Sequence, residues 1–178
     1  MIGLEGKQLH SARLTLRLAV AQDKAALWKL LQDGTVTKPA GFLPITTSEE
    51  FDHFFSELIA YHTGVTILAG NVVIGYVRVN KEVLEQPEFA DKSAVGLGFV
   101  IGKPYQKQGY GTEMLEIMTD YLLDRFDYVV ADHFVGNEAS GRLIEKCGYQ
   151  FLEEYSMVFD HLGPEEKKLR SYIRQRCD

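Results

Sequence analysis

Between Ala94 and Leu122 the sequence changes its period. Ala94 to Ile101 is a β-rich apolar run, while Met114, Leu115, Met118, Tyr121 and Leu122 recur at helical spacing. The joint between them holds Gln106-Lys107-Gln108-Gly109-Tyr110-Gly111-Thr112. A strand that passes into a helix through glycines marks an α/β chain and limits what the joint can do. Glycine lets the backbone turn sharply and approach a ligand closely, and the helix start presents unpaired N–H groups at the positive end of its dipole. Such a joint suits an anion. The third glycine of a dinucleotide fingerprint is missing and no Gly-Lys-Ser/Thr follows, so neither nucleotide-phosphate motif is present. By themselves the glycines are equally the mark of a tight turn.

The rest of the chain interleaves strands and helices in the same way. Arg13-Leu14-Thr15-Leu16-Arg17 alternates as a half-buried strand does. Ala26, Leu27, Leu30 and Leu31 follow at helical spacing behind Asp23, read as an N-cap, with Asp33-Gly34 as the stop. Thr47-Ser48-Glu49-Glu50 has the form of a capping box before the stripe Phe51, Phe54, Phe55, Leu58 and Ile59. Val65–Ala69 and Val72–Val79 flank Gly70-Asn71 and predict a tight hairpin. Asn80 to Lys92 reads as an exposed loop, and Gly96 and Gly98 suggest a bulge or a close backbone approach in the next strand. Tyr128 to His133 predicts a strand, Ala139 to Cys147 a helix stopped by Gly148, and Tyr149 to Phe159 a strand. Glu165 to Arg176 is favoured as a final strand pairing with the preceding one.

Composition narrows the classes. The chain has 178 residues, 46% hydrophobic and 25% charged, the profile of one folded domain over residues 1–178. A net charge of −6 argues against a binder of nucleic-acid backbones. The two cysteines, Cys147 and Cys177, form no disulfide framework, and no leader or membrane span is visible, so a cytoplasmic protein is expected. His10, His53, His62, His133 and His161 show no metal-site spacing, and no metal is expected.

Gln106-x-x-Gly109-x-Gly111 resembles the pyrophosphate-binding motif of the GNAT superfamily of acetyl-CoA-dependent N-acetyltransferases. Asn137-Glu138-Ala139-Ser140 followed by Glu145-Lys146-Cys147-Gly148-Tyr149 resembles that family's next motif, and Ala12-Arg13-Leu14-Thr15-Leu16-Arg17 resembles the first strand of its Rim-type branch, the ribosomal-protein N-terminal acetyltransferases. The resemblance implies an α/β fold with a mixed, mostly antiparallel sheet of about seven strands and about four flanking helices. The sheet would splay between Ala94–Ile101 and Tyr128–His133, its fourth and fifth strands, to admit the pantetheine arm of acetyl-CoA. It implies that the backbone of Phe99, Val100 and Ile101 pairs with that arm. Amides from Gln106, Lys107, Gln108, Gly109, Tyr110, Gly111 and Thr112 would hold the pyrophosphate, with a branched side chain at Gly111 pressing on it. A backbone N–H near Val100 would be the oxyanion donor, and Asn137 and Ser140 would lie beside the thiol, Ser140 assisting thiolate protonation. Both also have a plain structural reading as helix caps.

Two positions depart from the family pattern. Ile144 stands where many members carry a tyrosine general acid, and Gly96 where many Rim-type relatives carry a glutamate. No motif therefore assigns the general base. Glu113 is explained by the helix dipole, and of the neighbours Asp132 and His133 only one can face a given side. Cys147 reads as packed, the phenylalanines of the second helix and Trp28 as core, and Glu82, Glu85, Glu88 and Asp91 as a solvated acidic loop. The sequence thus predicts an acetyl-CoA-dependent N-acetyltransferase, monomeric or weakly dimeric, acting on a protein N-terminus or a small amine by direct attack in a ternary complex. The alternatives are a non-catalytic acyl-CoA-binding module and an α/β protein whose glycine loop is only a turn.

Overall fold

The computed structural model describes residues 2–41, 45–159 and 165–176. Its centre is an eight-stranded sheet formed by β1 (Gln8–His10), β2 (Leu14–Leu18), β3 (Gly64–Ala69), β4 (Val72–Glu82), β5 (Ala94–Ile101), β6 (Tyr128–Phe134), β7 (Gln150–Val158) and β8 (Glu166–Gln175). The spatial order is β1-β2-β3-β4-β5-β6-β8-β7, antiparallel throughout except for the parallel pair β5–β6. The helices are α1 (Lys24–Leu31), α2 (Gly34–Thr37), α3 (Ser48–Tyr61), α4 (Tyr110–Leu123) and α5 (Glu138–Lys146).

Alternation along the strands divides the core between the two faces. Leu16, Ile67, Val77, Leu97 and Ile101 pack with Met114, Leu115, Met118 and Leu122 of α4 and Ile144 of α5. Tyr76 and Val100, the sequence neighbours of Val77 and Ile101, pack instead with Leu27, Leu31, Phe51, Phe55 and Leu58 of α1 and α3. Trp28 lies with its ring centre 4.9 Å from that of Phe51, so the aromatic residues of this layer are core, as expected.

The capping box is present: Thr47 N–H donates to Glu50 Oε2 and Glu50 N–H to Thr47 Oγ1, at 3.4 and 3.3 Å. Other local expectations need correcting. Asp23 is not a side-chain cap of α1; its carboxylate turns to Arg17, Thr66 and the backbone of Val20. Asp33 does not merely stop a helix but caps α2, accepting from Thr35 N–H at 2.9 Å. β4 continues to Glu82 because Asn80, Lys81 and Glu82 pair with Gly96, Val95 and Ala94, so the exposed loop begins later than predicted. Gly96 and Gly98 carry no bulge; the register shifts fall at Ile67/Leu68 and Phe151/Glu153. The final segment is a strand, as favoured, but it inserts between β6 and β7 and pairs with both. β1 and α2 are additions to the predicted element count. Cys177 and His161 lie outside the described residues, among which no helix is long and apolar enough to cross a membrane.

Candidate active site

The parallel ladder between β5 and β6 is short. It joins Ala94, Val95, Gly96 and Leu97 to Tyr128, Val129, Val130 and Ala131 and then stops, although both strands continue. Backbone N–H and C=O groups on the β6 side of Gly98–Ile101 therefore face a gap, while the other side stays paired to β4. The gap opens into a cavity of about 630 Å³. Its wall runs from Gln106, Lys107, Gly109, Gly111 and Thr112 past Phe99, Val100 and Ile101 to Asn137 and Ser140, and on to Asn80, Glu82, Gly96 and Asp132. The structure thus brings together ten of the twelve residues that the sequence assigns to the cofactor and thiol; Gln108 and Tyr110 are not on the wall.

The α4 end is shaped by backbone conformation. Gly109 caps α4 with φ +84°, a left-handed geometry suited to glycine, and Lys107 also lies at φ +60°. The Gln106 side chain donates to the Ile101 carbonyl at 2.8 Å, which ties the loop to the end of β5. Gln108 turns its amide to the Pro104 carbonyl at 2.6 Å. A Cβ on Gly111 would lie 2.6 Å from Leu143 Cδ1, so a branched residue there meets α5, and helix packing is a reason for this glycine besides any phosphate.

Arg13 of the first-strand motif holds this loop from the side. Its guanidinium contacts Glu113 Oε2 at 2.6 Å through Nη2, donates to the Gln108 carbonyl at 3.0 Å and covers the Tyr110 ring at 4.4 Å. Ser11 Oγ and the Arg13 N–H donate to the other oxygen of Glu113. Burial pushes the Glu113 carboxyl up, but the hydrogen bonds from Ser11 and Arg13 outweigh it and hold the group below its ordinary value. Glu113 is thus more than a dipole residue; it is the anchor of the Arg13 bracket. Arg13→Ala is expected to release the loop and weaken acetyl-CoA binding about tenfold, the loss of one or two charge-assisted hydrogen bonds. Calorimetry of the variant checks this, with an unchanged Kd contradicting the bracket.

Asn137 is the N-cap of α5. Its Oδ1 accepts from Ser140 N–H at 3.3 Å, and its Nδ2 donates to the Pro39 carbonyl at 2.8 Å. The Ser140 side chain is partly buried at the cavity wall, and its hydroxyl makes no hydrogen bond among the described residues. Ile144 is fully buried in the α4–α5 core, so the missing phenol is replaced by packing. Cys147 is 4% exposed, and burial pushes its thiol up to about 11, which makes it inert at neutral pH.

Asp132 and His133 face opposite sides, as strand geometry requires. His133 is buried against α5: its Nε2 would sit 2.8 Å from a Cβ on Gly141, and its ring stacks on Tyr172. Asp132 lies on the other face and accepts from the Tyr155 hydroxyl at 3.0 Å. Burial raises its carboxyl, with Ser171 and Tyr155 pulling the other way. Glu82, read in the sequence as part of a solvated loop, is half-buried at the cavity wall, while Glu85, Glu88 and Asp91 are exposed. Burial, reinforced by Asp132, raises the Glu82 carboxyl. The only hint of this in the sequence is strand parity, which puts Glu82 on the same side of β4 as Tyr76. No group of His, Cys, Asp and Glu able to hold a metal occurs among the described residues.

Known structures share this architecture. A GNAT-family acetyltransferase from Bacillus anthracis superposes with a TM-score of 0.79 at 19% identity, covering 94% of this chain and 98% of that one. The spermidine N-acetyltransferase of Vibrio cholerae, solved with CoA and spermine, gives 0.75 at 14% identity over 93% and 96%. The Salmonella typhimurium acetyltransferase that modifies the N-terminal serine of ribosomal protein L7/L12 gives 0.73 at 17% identity over 94% and 97%. A search of curated protein sequences finds no match. The sequence model of the acetyltransferase (GNAT) domain matches residues 13–150. By that match over most of its length, with the interrupted strand pair and glycine-capped helix in place, the chain belongs to the GNAT family of acetyltransferases.

Proposed function

We propose that the protein works as a single acetyltransferase domain that moves an acetyl group from acetyl-CoA to a primary amine by direct attack within a ternary complex. The observation that carries this reading is the strand edge at Gly98–Ile101, left without a β6 partner and leading to a glycine-capped helix start. A pantetheine arm has amide groups to pair with such an edge, and a pyrophosphate suits the α4 N-terminus in an otherwise acidic chain. Acetyl-CoA supplies an activated thioester carbonyl. In this reading Phe99, Val100 and Ile101 align the arm, and the amides from Lys107 to Thr112 hold the phosphates, the Gln106 N–H being already given to the Lys103 carbonyl. A backbone N–H near Val100 donates to the developing oxyanion, and the Ser140 hydroxyl gives a proton to the departing sulfur. Asn137 holds the α5 start that carries Ser140.

The acceptor is a protein N-terminus or a small amine. The Arg13-Leu14-Thr15-Leu16-Arg17 strand supports a Rim-type relationship, and the likeness to the ribosomal-protein enzyme agrees with it. The test is calorimetry with acetyl-CoA followed by free-thiol release against a panel of amines and short peptides. Binding with amine-dependent thiol release is the expected result. Binding without release on any amine would turn the reading to a non-catalytic acyl-CoA module, and no binding would end it.

A further inference from the structure

We propose that Glu82 is the general base of this transfer, its carboxylate reaching from β4 across Gly96 to the closed end of the strand gap, where it takes a proton from the acceptor ammonium. The inference rests on the transferase reading above and adds the group that no motif supplies.

Gly96 pairs with Asn80 on one side and Val130 on the other, in the last stretch where β5 and β6 are joined. A Cβ on Gly96 would lie 2.7 Å from Glu82 Oε2, with Asn80 O at 4.0 Å the next residue met. The space a side chain at position 96 would fill is thus occupied by the Glu82 carboxylate. From Gly96 to Ile101 the strand advances roughly 17 Å at 3.3 Å per residue, so this carboxylate stands at the opposite end of the cleft from the α4 loop. That is the end where the reacting group of a cofactor threaded along β5 would lie, with its phosphates at α4.

The surroundings suit a cationic amine. Asp132 acts on Glu82 from β6, and Tyr155 of β7 holds Asp132, with Glu153 behind it. Among the described residues no basic side chain acts on Glu82. A primary amine arrives mostly protonated at neutral pH and cannot attack until one proton is removed. Glu82 takes that proton and passes it to solvent. The nitrogen lone pair then forms the C–N bond, the C–S bond breaks, the nitrogen loses a second proton, and the sulfur gains one through Ser140. Two protons leave nitrogen and one ends on sulfur, so one is released per turnover. Asp132, fixed by Tyr155, holds the incoming cation without taking its proton.

The raised carboxyl gives the test a second readout. A carboxyl whose folded-state value is raised adds stability below its ordinary value of 4.5 and loses that contribution as pH rises through the folded value. Once ionised, the half-buried carboxylate therefore no longer adds to the fold. Glu82→Gln is expected to keep or raise Tm at pH 7.5, to bind acetyl-CoA within twofold of wild type, and to lower kcat/KM about a hundredfold. It should also lose the acidic limb of the pH profile. A purely structural role would lower Tm and leave the profile shape alone.

Glu82→Ala supplies the second arm, because it empties the space over Gly96. With the first contact gone, Gly96→Glu in that background places a carboxylate in the same space from the neighbouring strand, and at least a tenfold recovery over Glu82→Ala is expected. The assays use thiol release with n-butylamine, 1,4-diaminobutane and tetrapeptides with free N-termini between pH 6 and 9.5. A Glu82→Gln enzyme within threefold of wild type, with an unchanged pH profile, would overturn the assignment and leave the transferase reading standing. So would a Glu82→Ala/Gly96→Glu enzyme that binds acetyl-CoA yet stays at the Glu82→Ala rate. A wild type that releases no thiol with any amine overturns both.

Discussion

Asp23→Ala is expected to cost about 3–5 kcal/mol of stability, the range for removing one partner of a buried ion pair. For a chain of this size that corresponds to a fall in Tm of about 6–20 °C, measurable by thermal unfolding at pH 7. Asp23 is 4% exposed and takes both arms of the Arg17 guanidinium, at 2.6 and 2.8 Å. It also accepts from Thr66 Oγ1 and from Val20 N–H, each at 3.0 Å. One carboxylate thus joins β2, β3 and the turn into α1, and its removal strands a cation and two donors. Replacing the pair together, as Arg17→Met with Asp23→Leu, should recover much of the loss because no charge is left buried. Burial raises the Asp23 carboxyl, but Arg17 and the other donors outweigh it and hold it below 3.8. A depressed value means the contribution is present above pH 3.8 and lost as pH falls through the folded value. The gap between wild type and Asp23→Ala should therefore close in strong acid and hold constant from pH 5 upward. A Tm within 2 °C of wild type at neutral pH would refute the account.

The second large effect is kinetic. On the proposed role, Ser140→Ala should lower kcat about a hundredfold, the low end for loss of a positioned proton donor. The α5 cap is the Asn137 side chain, so deleting the Ser140 hydroxyl removes no cap and should leave Tm and the acetyl-CoA Kd close to wild type. The loss should shrink with acyl donors whose leaving thiol is more acidic, since such a thiolate needs less help to depart. An equal loss with every donor, or a fall in Tm, would move Ser140 from chemistry to structure.

The sequence pattern carried most of the fold because strong local signals and global packing agree. The β5–loop–α4 joint, the α3 capping box and the Gly70-Asn71 hairpin each leave a trace within a few residues. What was not legible depended on partners far along the chain. Asp23 has the chemistry of a helix cap, but Arg17 and Thr66 outcompete the helix start for its oxygens. Asn80 to Glu82 look like loop because their strand character comes from pairing with Ala94 to Gly96. Gln8–His10 is too short to show a period and is a strand only because Thr15 to Arg17 pair with it. At the site, the turn into α4 was readable because glycine spacing encodes conformation directly. The place of Glu82 in the cavity was not, since a side chain that reaches over from a neighbouring strand has no motif, and Gly96 shows only as the space it leaves.

The two ends of the Asn137 amide serve different walls of the cleft. Its oxygen starts α5, which carries Ser140, and its nitrogen grips the Pro39 carbonyl in the Lys38–Ala40 turn, a segment that touches both β5 and β6. The side chain is in effect a tie-rod with a separate fastening at each end. Alanine would undo both fastenings at once and mix a loosened helix with a released turn, whereas aspartate keeps the acceptor oxygen and gives up only the donor. One residue thus links the Lys38–Ala40 turn to the α5 start, and selection on either contact would be felt by the other.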